Sequence, residues 1–369
     1  MYDLVVIGGG NLGHTMSAVM ASNGLNVLVL TREPNKWSDK LIVKDLYGKQ
    51  YIGEIHASND FSLVRYTSHI LFTLPGNALI ASLKQLKPYI NDKHILGSVV
   101  ASSGFFWQAR QLLGPEVSLY GFQRVPFISR IAEYGKSATI TGYKEVNKIA
   151  VLGRNELEKH LEQFYLNKIG GKVVFLKNYL EAALTNSNPL LHTARMYSLF
   201  KGYQEGKTKY PNHIYLYREW DDSSSDLLIK MDEEFQIIVS KLGIGNNNFP
   251  SILSYYESND AASLTDKIQN ISAFSDILTP MIGDGPYYLP DIGSRIFQED
   301  IPYGLVIIKS LGNLAKIATP NIDMVLFWSQ KLMNRSYYRD SWNEGKDIVN
   351  SSSISNFTIS NINELVEFR

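Results

Sequence analysis

The sequence predicts an α/β chain whose N-terminal part is a doubly wound parallel sheet and whose C-terminal part is mainly α-helical. Three observations carry that expectation. The first 100 residues alternate short β-like runs with helical stretches, the rhythm of βαβ units. The earliest run ends in Gly8-Gly9-Gly10-Asn11-Leu12-Gly13, a glycine pattern that belongs between a buried strand and a helix. After about residue 178, strand signals become few and helical stretches dominate.

In chain order, Leu4–Ile7 is a continuous apolar run that fits a strand buried on both faces. Asn11–Asn23 is rich in small and apolar residues and meets Gly24, a helix C-cap. Strands follow at Val27–Leu30, Ile70–Thr73, Ile95–Ala101 and Lys148–Leu152, with helices at Leu79–Leu86 and Trp107–Leu113. Leu41–Val43 and Tyr51–Ile55 straddle Tyr47-Gly48-Lys49 as a small hairpin. Beyond Val173–Leu176, helices are expected at Asn178–Phe200, Ser225–Leu242, Pro302–Ala318 and Pro320–Met333, the last two with proline at the first helical position. Gly283 through Pro290 reads as a loop, and the Ser- and Asn-rich Asn350–Asn363 as a loosely held tail. The expected domains are residues 1–178, 179–345 and a tail at 346–369.

Composition narrows the function. Lys+Arg and Asp+Glu are both 36, so no basic excess points to nucleic acid. Cysteine is absent, which excludes disulfides, thiolate metal sites and a cysteine nucleophile. No apolar run reaches the ~18 residues of a membrane-spanning helix, and no basic segment precedes the first strand. The default location is the cytoplasm. The seven histidines, His14, His56, His69, His94, His160, His192 and His213, form no close metal-type pair, and no metal is expected.

The glycine run matches G-x-G-x-x-G in the context that gives it meaning. Gly8 would make the tight turn, Gly10 would admit a pyrophosphate to the backbone, and Gly13 would let helix and strand pack closely. With Asn11 and Leu12 they open a helix whose free amides and positive dipole end favour phosphates. The domain is thus read as an NAD(P)-binding Rossmann domain. An acidic residue at the end of the second strand usually holds the ribose 2′-hydroxyl of NAD. Here the chain reads Leu30-Thr31-Arg32-Glu33. Arg32 can clamp a 2′-phosphate and Thr31 can donate a hydroxyl bond. Glu33 either takes the hydroxyl role or pairs with Arg32. NADP is expected over NAD, with NAD still an option. Leu74 and Pro75, just after Ile70–Thr73, complete the residues assigned to the cofactor.

Two residues stand out for chemistry. In Leu184-Thr185-Asn186-Ser187-Asn188-Pro189-Leu190-Leu191-His192, two asparagines and a proline interrupt an apolar helix. Proline inside a helix costs ~3 kcal/mol or more, which argues for a local purpose. Asn188 and His192 share a face if the helix tolerates or resumes after Pro189; the bland alternative is a structural histidine. With Pro302 at a first helical position, Asp300 lies one residue before the cap and is free to orient a histidine. Capping near Pro302 is the bland alternative.

These segments resemble the octopine/nopaline (opine) dehydrogenase family. The likeness runs through the glycine fingerprint, Val125-Pro126-Phe127-Ile128-Ser129-Arg130, Leu180-Glu181-Ala182-Ala183-Leu184, the Asn188 to His192 spacing, Glu299-Asp300-Ile301-Pro302-Tyr303-Gly304-Leu305 and Thr319-Pro320. It implies reductive condensation of an amino acid with an α-keto acid, using NADH or NADPH. It implies His192 and Asp300 as the catalytic pair, Asn188 assisting, and Arg295 holding a substrate carboxylate. Arg130 is a second candidate for a carboxylate. The pair is expected to hydrogen-bond across a cleft between the two domains. One departure is Thr193, where the family histidine is usually followed by proline. The expected partners are the two small substrates, with no nucleic acid or membrane, and a homodimer is allowed. Two rivals stay open: a ketopantoate-reductase-like 2-oxo acid reductase, and a non-enzymatic NADP-binding sensor.

Overall fold

A computed structural model describes residues 1–153, 156–245 and 248–368. The chain divides into two compact units, Met1–Asn186 and Ser187–Phe368.

The first unit is built on a mixed sheet. Its strands are β1 (Leu4–Ile7), β2 (Val27–Leu30), β3 (Lys40–Asp45), β4 (Gln50–Ser58), β5 (His69–Phe72), β6 (Ile95–Val99), β7 (Ser118–Phe122), β8 (Phe127–Glu133), β9 (Ser137–Tyr143), β10 (Val146–Leu152) and β11 (Lys172–Phe175). Among the described residues they lie in the order β11-β10-β7-β6-β5-β1-β2-β4-β3-β9-β8. From β7 across to β4 every pairing is parallel. The apolar runs of β1 and β2 are buried along their whole length, as a sheet covered on both faces requires. Helices α1 (Asn11–Ser22), α2 (Gly76–Leu86), α3 (Phe105–Leu113), α4 (Leu157–Tyr165) and α5 (Leu180–Ala183) complete the unit. Met16, Val19 and Met20 of α1 join Leu4, Val6, Val27 and Val29 in one core. The chain runs from β1 to β2 and β4 on one side and from β5 to β7 on the other. The carboxyl ends of β1 and β5 therefore form a topological switch point, where open α/β sheets bind ligands.

The sheet is not purely parallel. The expected hairpin is present as antiparallel β3 and β4, and β8 pairs antiparallel with β9. In β3 buried and exposed residues alternate, as in a sheet region covered on one face. On the other edge, β10 runs antiparallel to β7.

The second unit contains α6 (Asn188–Phe200), α7 (Asp222–Lys241), α8 (Ile252–Tyr255), α9 (Ala261–Gln269), a hairpin of β12 (Met281–Asp284) and β13 (Tyr287–Pro290), α10 (Val306–Ala315), α11 (Pro320–Leu332) and α12 (Ile362–Val366). The long α7 is capped by the Asp221 carboxylate on the Ser224 amide and packs against α6, α9, α10 and α11.

Five expectations are corrected here. The helix expected over Asn178–Phe200 is two, because residues 184–187 break it. The short α5 packs on β7 and β10, so the boundary falls after Asn186 rather than at 178. The stretch from Gly283 to Pro290, expected as a loop, holds the end of β12, the turn and all of β13 of an antiparallel hairpin. Pro302 does not start a helix: it lies inside a π-helix at Ile296–Leu305 that runs on into α10. The wider register, seen where the Val306 amide donates to the Ile301 carbonyl, accommodates the donor that proline lacks. Residues 346–368 are no loose tail. Ser351, Ser352 and Ser353 are buried; the Ser352 amide donates to the Pro302 carbonyl at 3.1 Å, and the Ile354 amide to Ser310 Oγ at 3.0 Å.

Candidate active site

The first unit offers a backbone site. Gly8, at φ +125°, turns the chain from β1 into α1. Its amide donates to the Leu30 carbonyl at 3.0 Å. Any Cβ on Gly13 would lie 1.8 Å from the Gly8 carbonyl oxygen, so helix and turn touch there. Gly10 faces the opposite situation, with nothing within 4 Å of its would-be Cβ. No side chain caps α1 and no acidic residue stands in its first turn. Its leading amides lack helical acceptors, and the dipole there favours an anion. The open space at Gly10 and the uncapped helix start fit a dinucleotide pyrophosphate.

Other residues hold this turn in shape. Asn11 Oδ1 accepts from the Ile131 amide of β8 at 2.9 Å, and Leu12 packs on the core. The Gly135 amide donates to His14 Nε2 at 2.7 Å. Nδ1 therefore carries the ring proton and donates to the Gly10 carbonyl at 3.0 Å. Burial lowers the His14 pKa, opposed in part by that Gly10 bond. Leu74 Cδ2 stands 3.0 Å from the would-be Cβ of Gly8, and Pro75 is the N-cap of α2. Thr31 is buried at the end of β2, its Oγ1 3.4 Å from the Tyr134 hydroxyl. Arg32 is exposed and has no ion-pair partner among the described residues. Glu33 pairs with Lys36 at 2.6 Å, not with Arg32. Arg130 is exposed on the edge strand β8, where its Nη1 donates to the Ser129 carbonyl at 3.3 Å.

The second unit brings side chains together. Pro189 falls in the first turn of α6, where its missing N–H costs little. The helix starts at Asn188, so the exposed Asn188 and His192 sit one turn apart on one face. The π-helix packs against α6, and Gly304 permits close approach: a Cβ there would lie 2.3 Å from Pro189 Cγ. One turn before Gly304, Asp300 meets His192, with Nδ1 to Oδ2 at 2.6 Å. Both side chains are mostly buried, 15% and 14% exposed. The pair forms wholly within the helical unit, not across a boundary between domains. Thr193, where proline was anticipated, donates its hydroxyl to the Pro189 carbonyl.

Two participants escaped the sequence reading. The hydroxyl of Tyr217 lies 2.8 Å from His192 Nε2. Tyr217 stacks on Phe274 at 4.6 Å between centroids, and burial, then Tyr256 and Asp300, raises its pKa. Fully buried Arg195, three residues after His192, clamps the segment that carries Tyr217. It donates to the Leu216 carbonyl at 3.1 Å, to Asp221 at 2.8 Å and to the Glu219 carbonyl. A lone arginine between Ala194 and Met196 on an apolar helix face was the available signal. Arg295 is exposed and grips its own neighbour, Nε donating to Glu299 Oε2 at 2.8 Å; it does not touch Asp300. Buried Lys309 is tied to Asp323 at 2.6 Å and Thr319 at 2.9 Å.

Asp300 fixes His192 in the tautomer with hydrogen on Nδ1, leaving Nε2 to exchange protons. Among the described residues no group of three or more His, Asp or Glu is placed to hold a metal, and no helix is long and apolar enough to cross a membrane.

Residues 175–333 match the family model described as NAD/NADP octopine/nopaline dehydrogenase, alpha-helical domain. The octopine dehydrogenase of Pecten maximus is 25% identical over 376 residues, 93% of this chain and 93% of that protein. The opine dehydrogenase of Haliotis discus hannai is 26% identical over 401 residues, 98% of each. A solved octopine dehydrogenase with NADH and pyruvate has the same fold, with a TM-score of 0.86 at 22% identity over 100% of this chain and 98% of that one. Residues 175–333 thus carry the alpha-helical domain of the octopine/nopaline dehydrogenase family, and the chain is similar over nearly its whole length to opine dehydrogenases.

Proposed function

We propose that this protein joins an amino acid to an α-keto acid by reductive condensation, with NADPH as the preferred reductant. The observation that carries this reading is the His192–Asp300 pair at 2.6 Å. Condensing an amine with a ketone removes protons from nitrogen and delivers them to a departing oxygen. Histidine exchanges protons near neutral pH, and a carboxylate on Nδ1 stabilises the imidazolium formed midway. An enzyme that only reduced a ketone would have no amine to deprotonate.

The nicotinamide supplies hydride when bound. Gly8, Gly10, Asn11, Leu12 and Gly13 would hold the pyrophosphate, with Leu74 and Pro75 beside the turn. Thr31 and Arg32 would take the 2′-phosphate. The preference for NADPH rests on Arg32 being available while Glu33 is engaged by Lys36, since an arginine suits a phosphate and a free carboxylate would suit a ribose hydroxyl. Both substrates carry carboxylates. Arg295 is assigned to one of them, exchanging Glu299 for the substrate; Asn188, one turn before His192, assists the pair. Arg130 remains the secondary candidate.

The test is incubation with NADPH or NADH, pyruvate and a panel of amino acids, followed by mass spectrometry. The expected product is a secondary amine bearing two carboxylates, formed faster with NADPH. NADPH consumption without any amine, yielding a 2-hydroxy acid, would replace this reading with a simple 2-oxo acid reductase. Equal or faster use of NADH would overturn the cofactor preference alone.

A further inference from the structure

We propose that Tyr134, in the turn between β8 and β9, is a binding residue for the cofactor's 2′-phosphate, and that its hydroxyl completes a seat with Thr31 Oγ1 and the Arg32 guanidinium. This rests on the NADPH preference argued above. Tyr134 and Thr31 are 103 residues apart in sequence, yet they meet over the glycine turn. A Cβ built on Gly9 would lie 2.8 Å from the Tyr134 hydroxyl, 3.0 Å from Thr31 Oγ1 and 3.2 Å from Trp37 Cζ2. The phenol oxygen therefore stands beside the backbone of the pyrophosphate turn and 3.4 Å from Thr31 Oγ1. Thr31 follows the last residue of β2, the place where a dinucleotide fold holds the 2′ substituent of the ribose. Tyr134 is 38% exposed, so a ligand laid over the turn meets it.

The phenol is held there by its surroundings. Gly135 closes the turn at φ +74°, and a Cβ on it would lie 2.1 Å from the Lys36 carbonyl oxygen. Glycine thus lets the turn sit against the loop after β2. The Gly135 amide donates to His14 Nε2 at 2.7 Å, and its carbonyl accepts from the Ser38 amide at 2.9 Å. The Tyr134 ring stands edge-on to His14 at 5.2 Å and to Trp37 at 5.8 Å between centroids. A ring wedged in this way has little side-chain freedom left to lose on binding.

The electrostatics favour a phosphate over a hydroxyl. The carboxylates that flank Arg32 and Tyr134 are both matched, Glu33 by Lys36 at 2.6 Å and Glu133 by Lys136 at 2.5 Å. Neither segment leaves a carboxylate for a ribose hydroxyl, the partner that NAD usually meets there. Arg32 brings a permanent charge and a planar fork. Thr31 and Tyr134 are neutral donors, and their hydrogen bonds strengthen when the acceptor is an ionised phosphate oxygen. The 3.4 Å between the two hydroxyls is long for an O–H···O bond, which leaves their protons to be claimed by a stronger acceptor.

The test is calorimetric titration with 2′,5′-ADP and with AMP, adenosine ligands that differ only in the 2′-phosphate and need no turnover. The unmodified protein should bind 2′,5′-ADP at least about tenfold more tightly. Tyr134→Phe keeps the ring and removes the hydroxyl. It should weaken 2′,5′-ADP by roughly 10–100-fold, the worth of a hydrogen bond to a charged group, and leave AMP within about twofold. If that variant does not fold, 3,5-difluorotyrosine at position 134 decides the matter. Its phenol ionises at lower pH and a phenolate repels a phosphate, so affinity for 2′,5′-ADP should fall with rising pH where that of the unmodified protein stays level. A protein that prefers 2′,5′-ADP, but whose Tyr134→Phe variant keeps both affinities or loses both equally, or whose fluorinated variant ignores pH, overturns the role of Tyr134 alone. Equal binding of the two ligands by the unmodified protein overturns the NADPH preference and the seat with it.

Discussion

The two candidate sites are made in opposite ways. The turn in the first unit spans six consecutive residues, Gly8 to Gly13, and works through backbone, open at Gly10 and uncapped at the start of α1. The cluster in the second unit is made of side chains from three segments, with Tyr217 25 residues and Asp300 108 residues from His192. Phosphate recognition needs amides and space, which a short glycine-rich stretch provides locally. Proton transfer needs titratable groups in contact, which only tertiary packing provides. A short contiguous motif therefore announces the first site, and nothing contiguous announces the second.

The sharpest way to break this contrast is to disable the cluster and ask whether the turn notices. His192→Ala should lower kcat by roughly 10²–10⁴ and leave the dissociation constant for NADPH within about twofold. The check pairs steady-state kinetics with a fluorescence titration of the cofactor. A variant that loses cofactor affinity as well as turnover would show that side chains of the helical unit also build the dinucleotide site.

Two glycines sharpen the contrast from the other side. Gly13→Ala drives a methyl against the Gly8 carbonyl at 1.8 Å, and backbone cannot yield there without parting α1 from β1. A loss of about 4 kcal/mol or more is expected, the range of severe core disruptions, read as failure to express folded protein or a large drop in Tm. Gly10→Ala meets nothing within 4 Å, and φ −83° suits any residue. Its stability should stay within about 1 kcal/mol of the parent, while NADPH affinity falls at least about tenfold. Equal stability losses for the two variants would mean that Gly10, like Gly13, serves the fold and not the ligand.

What the sequence made readable follows the same division. β1 and β2 fall on their expected residues because a run buried on both faces is apolar throughout. The hairpin of β3 and β4 is marked by its turn. Pro302 misled the reading because the local rule, proline at a first helical position, assumes α-helical register; here it lies inside a π-helix whose Gly304 packs against Pro189, a tertiary contact that no local pattern reports. The serines of 351–353 read as a loose tail by composition, yet they are buried, with the Ser352 amide on the Pro302 carbonyl and the Ile354 amide after them on the Ser310 hydroxyl. His192 and Asp300 became legible through resemblance to a family. The contact of Tyr217 with His192 did not, because it depends on Arg195 holding a loop in place.

The smallest effect concerns a titratable side chain that buttresses the backbone site. His14 sits neutral between a carbonyl and an amide: it donates to Gly10 from Nδ1 and accepts from Gly135 at Nε2. Its folded pKa is lowered from 6.5, chiefly by burial. Below pH 6.5 the unfolded chain therefore takes up a proton that the folded chain refuses, and stability falls as pH falls. One such proton is worth at most ~1 kcal/mol between pH 6.5 and 5.5. The stabilisation is fully present above the unfolded pKa and is lost toward the folded one. His69, whose pKa burial and then His160 lower to about 3, contributes in the same direction, so wild type alone cannot isolate His14. Comparing urea denaturation of wild type and His14→Leu cancels the shared term: the leucine variant should be less stable at pH 8 and lose less on acidification. Protonated His14 would also turn an N–H toward the Gly135 N–H, loosening the hairpin turn behind the glycine loop. NADPH affinity should then decline over the same pH range in wild type, and parallel curves for the two proteins would remove His14 from the account of that turn.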